Sequence, residues 1–484
     1  AEWDVRASQL ASALLGLGLV KGDRVGVIAH NRLEWMEMYA GMARAGLVVV
    51  PLNFRLTGPE MAYILGHAEV AAVIAGPNFC DTVDAIRPEL PLAADRFIVL
   101  GDAAPAGWTA YETLLAGAQT DAVFAAVAPD DMCALMYTSG TTGRPKGAIR
   151  AHGGSTLIAL ATALEMGFTR DDTALLVMPL CHANSLYFGT TFVHLGATIV
   201  IDDRPSFDPE AVLKTLAEDR VTFTSLVPTH YIMMMSLPDE VKQRCDLSAV
   251  GKLMISSAPA RQDTKRGIME LFPNGKLYEL YGSTEAGWVT LLRPDEQLSK
   301  LGSVGREWAG SGPIRLLDHD RREVADGEVG ELFSRTAYVF DGYWRNPEKT
   351  AEAMDGLWCS VGDMARRDED GYIWLVDRKS NMIISGGENV YPSEVEGVLG
   401  QHPAVRDVAI VGVPHEKWGE TPLAVVVQHP GAAVDEAALR DWCRERLAGF
   451  KCPSRVVFVD EGDMPRTATG KVLHRLLRQR YSPA

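Results

Sequence analysis

The stretch Tyr137-Thr-Ser-Gly-Thr-Thr-Gly-Arg-Pro-Lys-Gly147 decides how this chain is read. An apolar run, Met132 to Met136, precedes it and reads as a strand. Two glycine-punctuated hydroxyl runs then lead to a lysine. A turn of this composition brings backbone N–H groups and hydroxyls close to phosphate oxygens, because glycine has no Cβ to block the approach. Lys146 adds a mobile positive charge. In the Walker pattern the lysine directly follows the second glycine and precedes Ser or Thr, and here it does not. The loop therefore reads as a phosphate cradle of another kind, with a flexible surface loop as the alternative.

On either side of this loop, helical and strand patterns alternate. Val5–Leu19 has helical apolar spacing, Arg24–Ala29 reads as a strand, and Leu33–Ala45 as a helix punctuated by Gly46. Leu47–Val50 is a buried-strand run ended by Pro51. Later, Pro209–Glu218 reads as a helix, and Val221–Val227 and Gly251–Ser256 as strands. Such alternation predicts α/β architecture, with mostly parallel sheets covered by helices. Near Leu301 the texture changes to short strands between Gly/Asp turns, including Glu328–Ser334 and Gly371–Val376, which predicts a small antiparallel β unit. After the polar linker Asp377-Arg-Lys-Ser-Asn381, Pro392–Leu399 and Glu436–Leu447 read as helices and Val408–Val413 and Leu423–Gln428 as strands. The expected domains are 1–377, a hinge at 378–381, and a small mobile α+β domain at 382–484, since boundaries favour exposed polar linkers.

Composition narrows the class. The 484 residues are 47% apolar and 23% charged, as in an ordinary globular protein of two or three domains. No apolar run reaches the ~18 residues of a membrane span. The start, Ala1-Glu-Trp-Asp4, lacks the basic and apolar regions of a signal peptide. It also lacks Met and reads as the inside of a helix, which points to a longer natural N-terminus. Seven scattered cysteines without a CxxC pair argue against a disulfide framework or a zinc site, so a reducing cytoplasm is expected. A net charge of −16 argues against nucleic acid as a partner. Arg440, Arg444, Arg446, Lys451 and Arg455 form a basic cluster, read as a solvated helix face in preference to a site for ligand phosphates.

The whole loop string resembles the phosphate-loop signature of the acyl-adenylate-forming superfamily, which includes acyl-CoA synthetases, peptide-synthetase adenylation domains and beetle luciferases. The resemblance extends along nearly the whole chain. It implies that Thr138, Ser139, Gly140, Thr141, Thr142, Gly143 and Lys146 hold ATP. Leu277-Tyr-Glu-Leu-Tyr-Gly-Ser-Thr-Glu-Ala286 resembles the central adenylate motif. By that resemblance Tyr281 lies against adenine, Thr284 contacts the α-phosphate, and Glu279, Gly282 and Ser283 belong to the same nucleotide-binding stretch. The same resemblance implies that Glu285, with Thr142, ligates Mg²⁺. A carboxylate beside phosphate oxygens suits that hard cation. Ser257-Ala258-Pro259 resembles the small-residue segment along the adenine. Asp363, in Val361-Gly-Asp363, resembles the ribose ligand, and Arg378 its companion.

Pro465-Arg-Thr-Ala-Thr-Gly-Lys-Val472 resembles the family's terminal motif. It implies that Lys471 bridges the carboxylate and the α-phosphate as charge builds. Ser385-Gly386-Gly387-Glu388 resembles the loop lining the CoA tunnel, brought in when the C-terminal domain rotates after adenylation. The pivot usually carries Asp or Lys, and this chain has Ser380. His182, in Pro179-Leu-Cys-His-Ala-Asn184, matches the histidine that gates the acyl pocket. Tyr187, Leu280 and Gly282 are expected to line that pocket, with Trp288 a further candidate. Leu280 stands where relatives with long or extended aryl acids often carry Gly, so a compact acid is expected.

The implied reaction joins a carboxylic acid to CoA with ATP, through an acyl-adenylate, releasing AMP and pyrophosphate. Loading a separate acyl-carrier protein, a luciferase-like oxidation and a non-catalytic nucleotide sensor remain open alternatives. The expected partners are the acid, ATP, CoA and at most a second copy of the chain in a homodimer.

Overall fold

The computed structural model describes residues 2–120, 125–138, 145–256, 260–385, 388–466 and 472–482. The chain divides into two compact units, Ala1–Pro313 with Ser334–Cys359, and Ile314–Phe333 with Ser360–Ala484. Among the described residues, no helix is long and apolar enough to cross a membrane.

The first unit is built on two seven-stranded sheets. One runs in the order Thr109–Ala110, Phe97–Val99, Val70–Ala75, Arg24–Ile28, Val48–Leu52, Met132–Thr138, Lys146–Ala151. Its neighbours are parallel except the last pair, where Thr138 stands opposite Lys146 in antiparallel register. The second runs Thr198–Ile201, Thr173–Leu176, Phe223–Leu226, Lys252–Ser256, Lys276–Ser283, Gly287–Leu292, Arg306–Glu307. It is parallel up to Lys276–Ser283 and antiparallel beyond. Each sheet carries helices on an outer face, and the largest core lies where both sheets meet helices Glu34–Ala45 and Ala183–Leu195. Val48–Leu52 is buried along its whole length, as expected of a parallel strand covered on both faces.

Local chemistry explains the boundaries. Helix Pro209–Glu218 begins where predicted: Pro209 needs no N–H partner in the first turn, and the Asp208 carboxylate accepts from the N–H groups of Glu210 and Ala211. Gly46 ends Glu34–Ala45 at φ 69°, with its N–H bonded to the Ala43 and Met42 carbonyls. One expectation fails: Pro51 does not end its strand, which runs on to Leu52. The register of this strand with Met132–Thr138 is the single pair Val49↔Ala134, so Pro51 and its missing N–H lie beyond that ladder.

The second unit holds the antiparallel sheet Arg315–Leu317, Gly330–Phe333, Asp363–Arg367, Ile373–Arg378. It also holds a five-stranded sheet whose long hairpin, Val405–His415 with Gly419–Gln428, packs helices Pro392–Leu399 and Glu436–Arg444 around its own core.

Candidate active-site residues

The first unit brings several of the expected residues together. Thr138 ends the strand before the phosphate loop, and Lys146 begins the strand after it. Strand Lys276–Ser283 carries Glu279 to Ser283, with a register shift between Tyr281 and Gly282. A Cβ on Gly282 would lie 2.3 Å from the Gly287 carbonyl oxygen, so only glycine lets the two backbones approach here. The Ser283 hydroxyl accepts from the Ala286 N–H at 2.9 Å and closes the turn that presents Thr284 and Glu285.

Glu285 is 6% exposed. Its Oε1 accepts from the Thr138 hydroxyl at 3.1 Å and from the Tyr343 hydroxyl at 2.8 Å. The Lys146 ammonium sits 4.0 Å from the centre of the Tyr343 ring. Tyr343 thus ties the lysine to the carboxylate, and sequence reading missed it. Its only signal was a glycine before an aromatic pair, Gly342-Tyr343-Trp344. Among the described residues no group of three His, Cys, Asp or Glu could cage a metal. A lone buried carboxylate with hydroxyl neighbours still fits Mg²⁺, which takes one or two carboxylates and completes its shell with substrate phosphates and water.

Glu279 points into the core. Its carboxylate, 5% exposed, meets the fully buried Lys265 of helix Gln262–Leu271 at 2.5 Å. Burial pushes the Glu279 carboxyl up, and Lys265 opposes that shift.

His182 lies at the start of helix Ala183–Leu195, and its N–H donates to the Pro179 carbonyl at 3.0 Å. Asn31 clamps the approach: its amide donates to the Val177 and Met178 carbonyls, and its oxygen accepts from the Leu180 N–H. Asn53 places its amide nitrogen 3.3 Å from His182 Nε2. With the amide as donor, Nε2 accepts, so the ring is neutral and its proton is on Nδ1. Burial, with a smaller push from the Arg55 charge, lowers the His182 pKa to about 4. His230, stacked on Phe207 with ring centres 3.9 Å apart, is lowered to about 4 by the same two causes.

Tyr187, Leu280 and Trp288 belong to one core, with Tyr187 edge-on to Trp288 at 5.3 Å. The Trp288 indole N–H donates to the Thr162 hydroxyl at 2.9 Å.

In the second unit, Asp363 and Arg378 face each other across two antiparallel strands, and Arg378 Nε meets the Asp363 carboxylate at 2.6 Å. Ser380 is exposed in the following turn. Ser385 is buried and pairs in register with the exposed Glu388. The basic cluster is largely neutralised locally: Arg444 pairs with Asp441, Arg446 with Glu445, Lys451 with Glu394, and Arg440 lies near Glu436. All seven cysteines are free thiols. Ser139, Gly140, Thr141, Thr142, Gly143, Ser257, Ala258, Pro259, Gly386, Gly387 and Lys471 lie outside the described residues.

Comparison with known proteins places the chain in a family. A family model described as AMP-binding enzyme matches residues 1–344, and one described as AMP-binding enzyme C-terminal domain matches residues 394–471. An indoleacetate–CoA ligase of Aromatoleum aromaticum is 36% identical over 97% of this chain and 91% of its own length. A feruloyl-CoA synthase of an Amycolatopsis species is 37% identical over 99% of this chain and 93% of its own. The solved structure of ATP-bound MatB from Rhodopseudomonas palustris superposes with a TM-score of 0.88 at 32% identity, covering 100% of this chain and 93% of that one.

Proposed function

The chain belongs to the AMP-binding enzyme family, as an AMP-forming acid–CoA ligase, and on that premise we propose that its acid is compact, a short or branched acyl chain or a single-ring aryl carboxylate. The observation that supports the nucleotide half is the convergence of the Thr138 and Tyr343 hydroxyls on Glu285, with Lys146 against the Tyr343 ring. Glu285 and Thr142 would hold Mg²⁺ there, and the ion would supply positive charge to offset that of the phosphates.

In the first step the acid's carboxylate oxygen attacks the α-phosphorus, the α–β bond breaks, and pyrophosphate leaves. Lys146 and the loop Ser139–Gly143 hold the phosphates, Tyr281 and Ser257–Pro259 the adenine, and Asp363 with Arg378 the ribose. Thr284 meets the α-phosphate. Lys471 stabilises the charge that builds between carboxylate and phosphate, a contribution of about 10²–10³-fold for preorganised groups of this kind. In the second step the 382–484 domain turns about 378–381. Ser385-Gly386-Gly387-Glu388 then lines the thiol's path, the CoA sulfur attacks the acyl carbon, and AMP leaves.

Leu280 supports the size limit. It is 5% exposed and shares a core with Tyr187 and Trp288, so extra methylenes beside it would strain packing. The neutral His182 suits a gate that admits a carboxylate without pairing tightly to it. The test is AMP release across a panel of acids with CoA present, with products identified by mass. A compact acid should give the highest kcat/KM together with its acyl-CoA mass. A long-chain fatty acid as the best substrate would overturn the size argument, and AMP without an acyl-CoA would point to a carrier-protein thiol.

A further inference from the structure

Arg150 lies on strand Lys146–Ala151, four residues after the lysine of the phosphate loop, and is only 1% exposed. A buried guanidinium is costly unless it is well satisfied. Among the described residues, its guanidinium makes three hydrogen bonds, each to a main-chain carbonyl. Nη1 donates to the Thr284 and Glu285 oxygens at 3.2 Å each, and Nη2 to the Tyr338 oxygen at 2.6 Å. Its Nε has no hydrogen-bond partner among the described residues, and the guanidinium carbon lies 5.4 Å from the centre of the Tyr187 ring.

Two of the three carbonyls it grips belong to Thr284 and Glu285, the residues assigned to the α-phosphate and the metal. A trans peptide sets its C=O and N–H on opposite sides. Holding the Thr284 carbonyl toward Arg150 therefore turns the Glu285 N–H the other way. The grip also fixes where the Thr284 and Glu285 side chains start from. The Glu285 carbonyl accepts a further bond from the Phe340 N–H at 2.7 Å, so the 338–340 segment is held by the same strap. One strand therefore carries two cations with separate tasks: Lys146 at its beginning, against the Tyr343 ring, and Arg150 behind the Thr284–Glu285 peptide.

We propose that Arg150 is a positioning residue for adenylation, a buried strap that aligns the Thr284–Glu285 peptide with the phosphate-loop strand. This rests on the ligase reading above. Its positive charge lies behind that peptide in a low-dielectric interior, where it adds to the field that favours phosphate. A lysine there would keep the charge but lose the planar fork that reaches three acceptors at once.

The test compares wild type, Arg150→Met and Arg150→Lys in acid-dependent ATP–pyrophosphate exchange over a range of Mg²⁺. Thermal melting and thioester formation from a synthetic acyl-adenylate serve as parallel readouts. Arg150→Met should lower the exchange kcat about 100-fold and raise the half-saturating Mg²⁺, while thioester formation stays within about threefold. Arg150→Lys should recover part of the kcat, and should carry the same split between half-reactions if the Met variant fails to fold. Equal losses in both half-reactions, or an exchange kcat near wild type in a folded variant, would overturn the proposal. Absence of exchange in the wild type would instead sink the ligase reading, and this proposal with it.

Discussion

The Tyr343 hydroxyl donates to Glu285 Oε1 at 2.8 Å while the face of its ring meets the Lys146 ammonium at 4.0 Å, so one side chain joins a carboxylate and a cation from distant parts of the chain. Tyr343→Phe keeps the ring and removes the donor. Hydrogen bonds to charged groups contribute about 1.5–3 kcal/mol, so exchange should fall roughly tenfold or more, with a higher Mg²⁺ requirement. Tyr343→Leu also removes the cation–π contact and should fall further. Pyrophosphate exchange at graded Mg²⁺ measures both.

Two histidines make stability fall in acid. His182 and His230 are held near pKa 4 in the fold, below the ordinary value of about 6.5. Between those values the unfolded chain binds more protons than the native one, so stability rises with pH. Their contribution is fully present above about pH 6.5 and is lost as the pH falls toward 4. The Tm should climb between pH 4.5 and pH 6.5, a window set by these two pKa values at about 4 and about 6.5. His230→Gln should flatten that climb, and an unchanged slope would count against the buried neutral ring.

The Lys265–Glu279 pair should be costly to break from one side. Lys265→Met strands a buried carboxylate and should lose about 3–5 kcal/mol. The double variant Lys265→Met, Glu279→Leu should recover much of that loss. Denaturant melts of the single and double variants form the cycle that checks it.

Gly282→Ala places a methyl against the Gly287 backbone, which cannot swing aside as a side chain can. Overpacking of this kind costs about 1–3 kcal/mol. Exchange activity should fall more than that loss of stability implies, since the shift displaces Tyr281 and Thr284 on either side. Parallel melts and exchange assays separate the two effects.

Leu280→Gly should widen the acid range. Each methylene in an apolar pocket is worth about 10-fold or more in discrimination, so kcat/KM for longer acids should rise by that order relative to the wild-type preference. A long-to-short ratio that does not change would mean Leu280 packs in the core without bounding the acid.

Much of the fold was legible because its punctuation is local. Pro209 with Asp208, and Pro392 at the start of Pro392–Leu399, set helix starts that the structure reproduces to the residue. Buried strands showed as apolar runs. What stayed hidden depends on long-range register. Nothing near Arg306 and Glu307 marks them as the edge of the second sheet, and Pro51 reads as a stop until its neighbour's register is known. The site behaved the same way. The motif residues Thr138, Lys146 and Glu285 stand out in the chain, whereas Tyr343, which joins the last two, does not. Arg150 and Lys265 look like ordinary surface charges in sequence, and only the fold buries them against Thr284, Glu285 and Glu279.

The most direct measurement separates the two half-reactions in wild type and Lys471→Ala. The account predicts acid-dependent ATP–pyrophosphate exchange without CoA in the wild type, and an acyl-CoA of the expected mass once CoA is added. In Lys471→Ala, exchange should fall about 10²–10³-fold while thioester formation from a preformed adenylate is largely kept. Equal losses in both half-reactions, or a wild type that exchanges with no carboxylic acid, would contradict it.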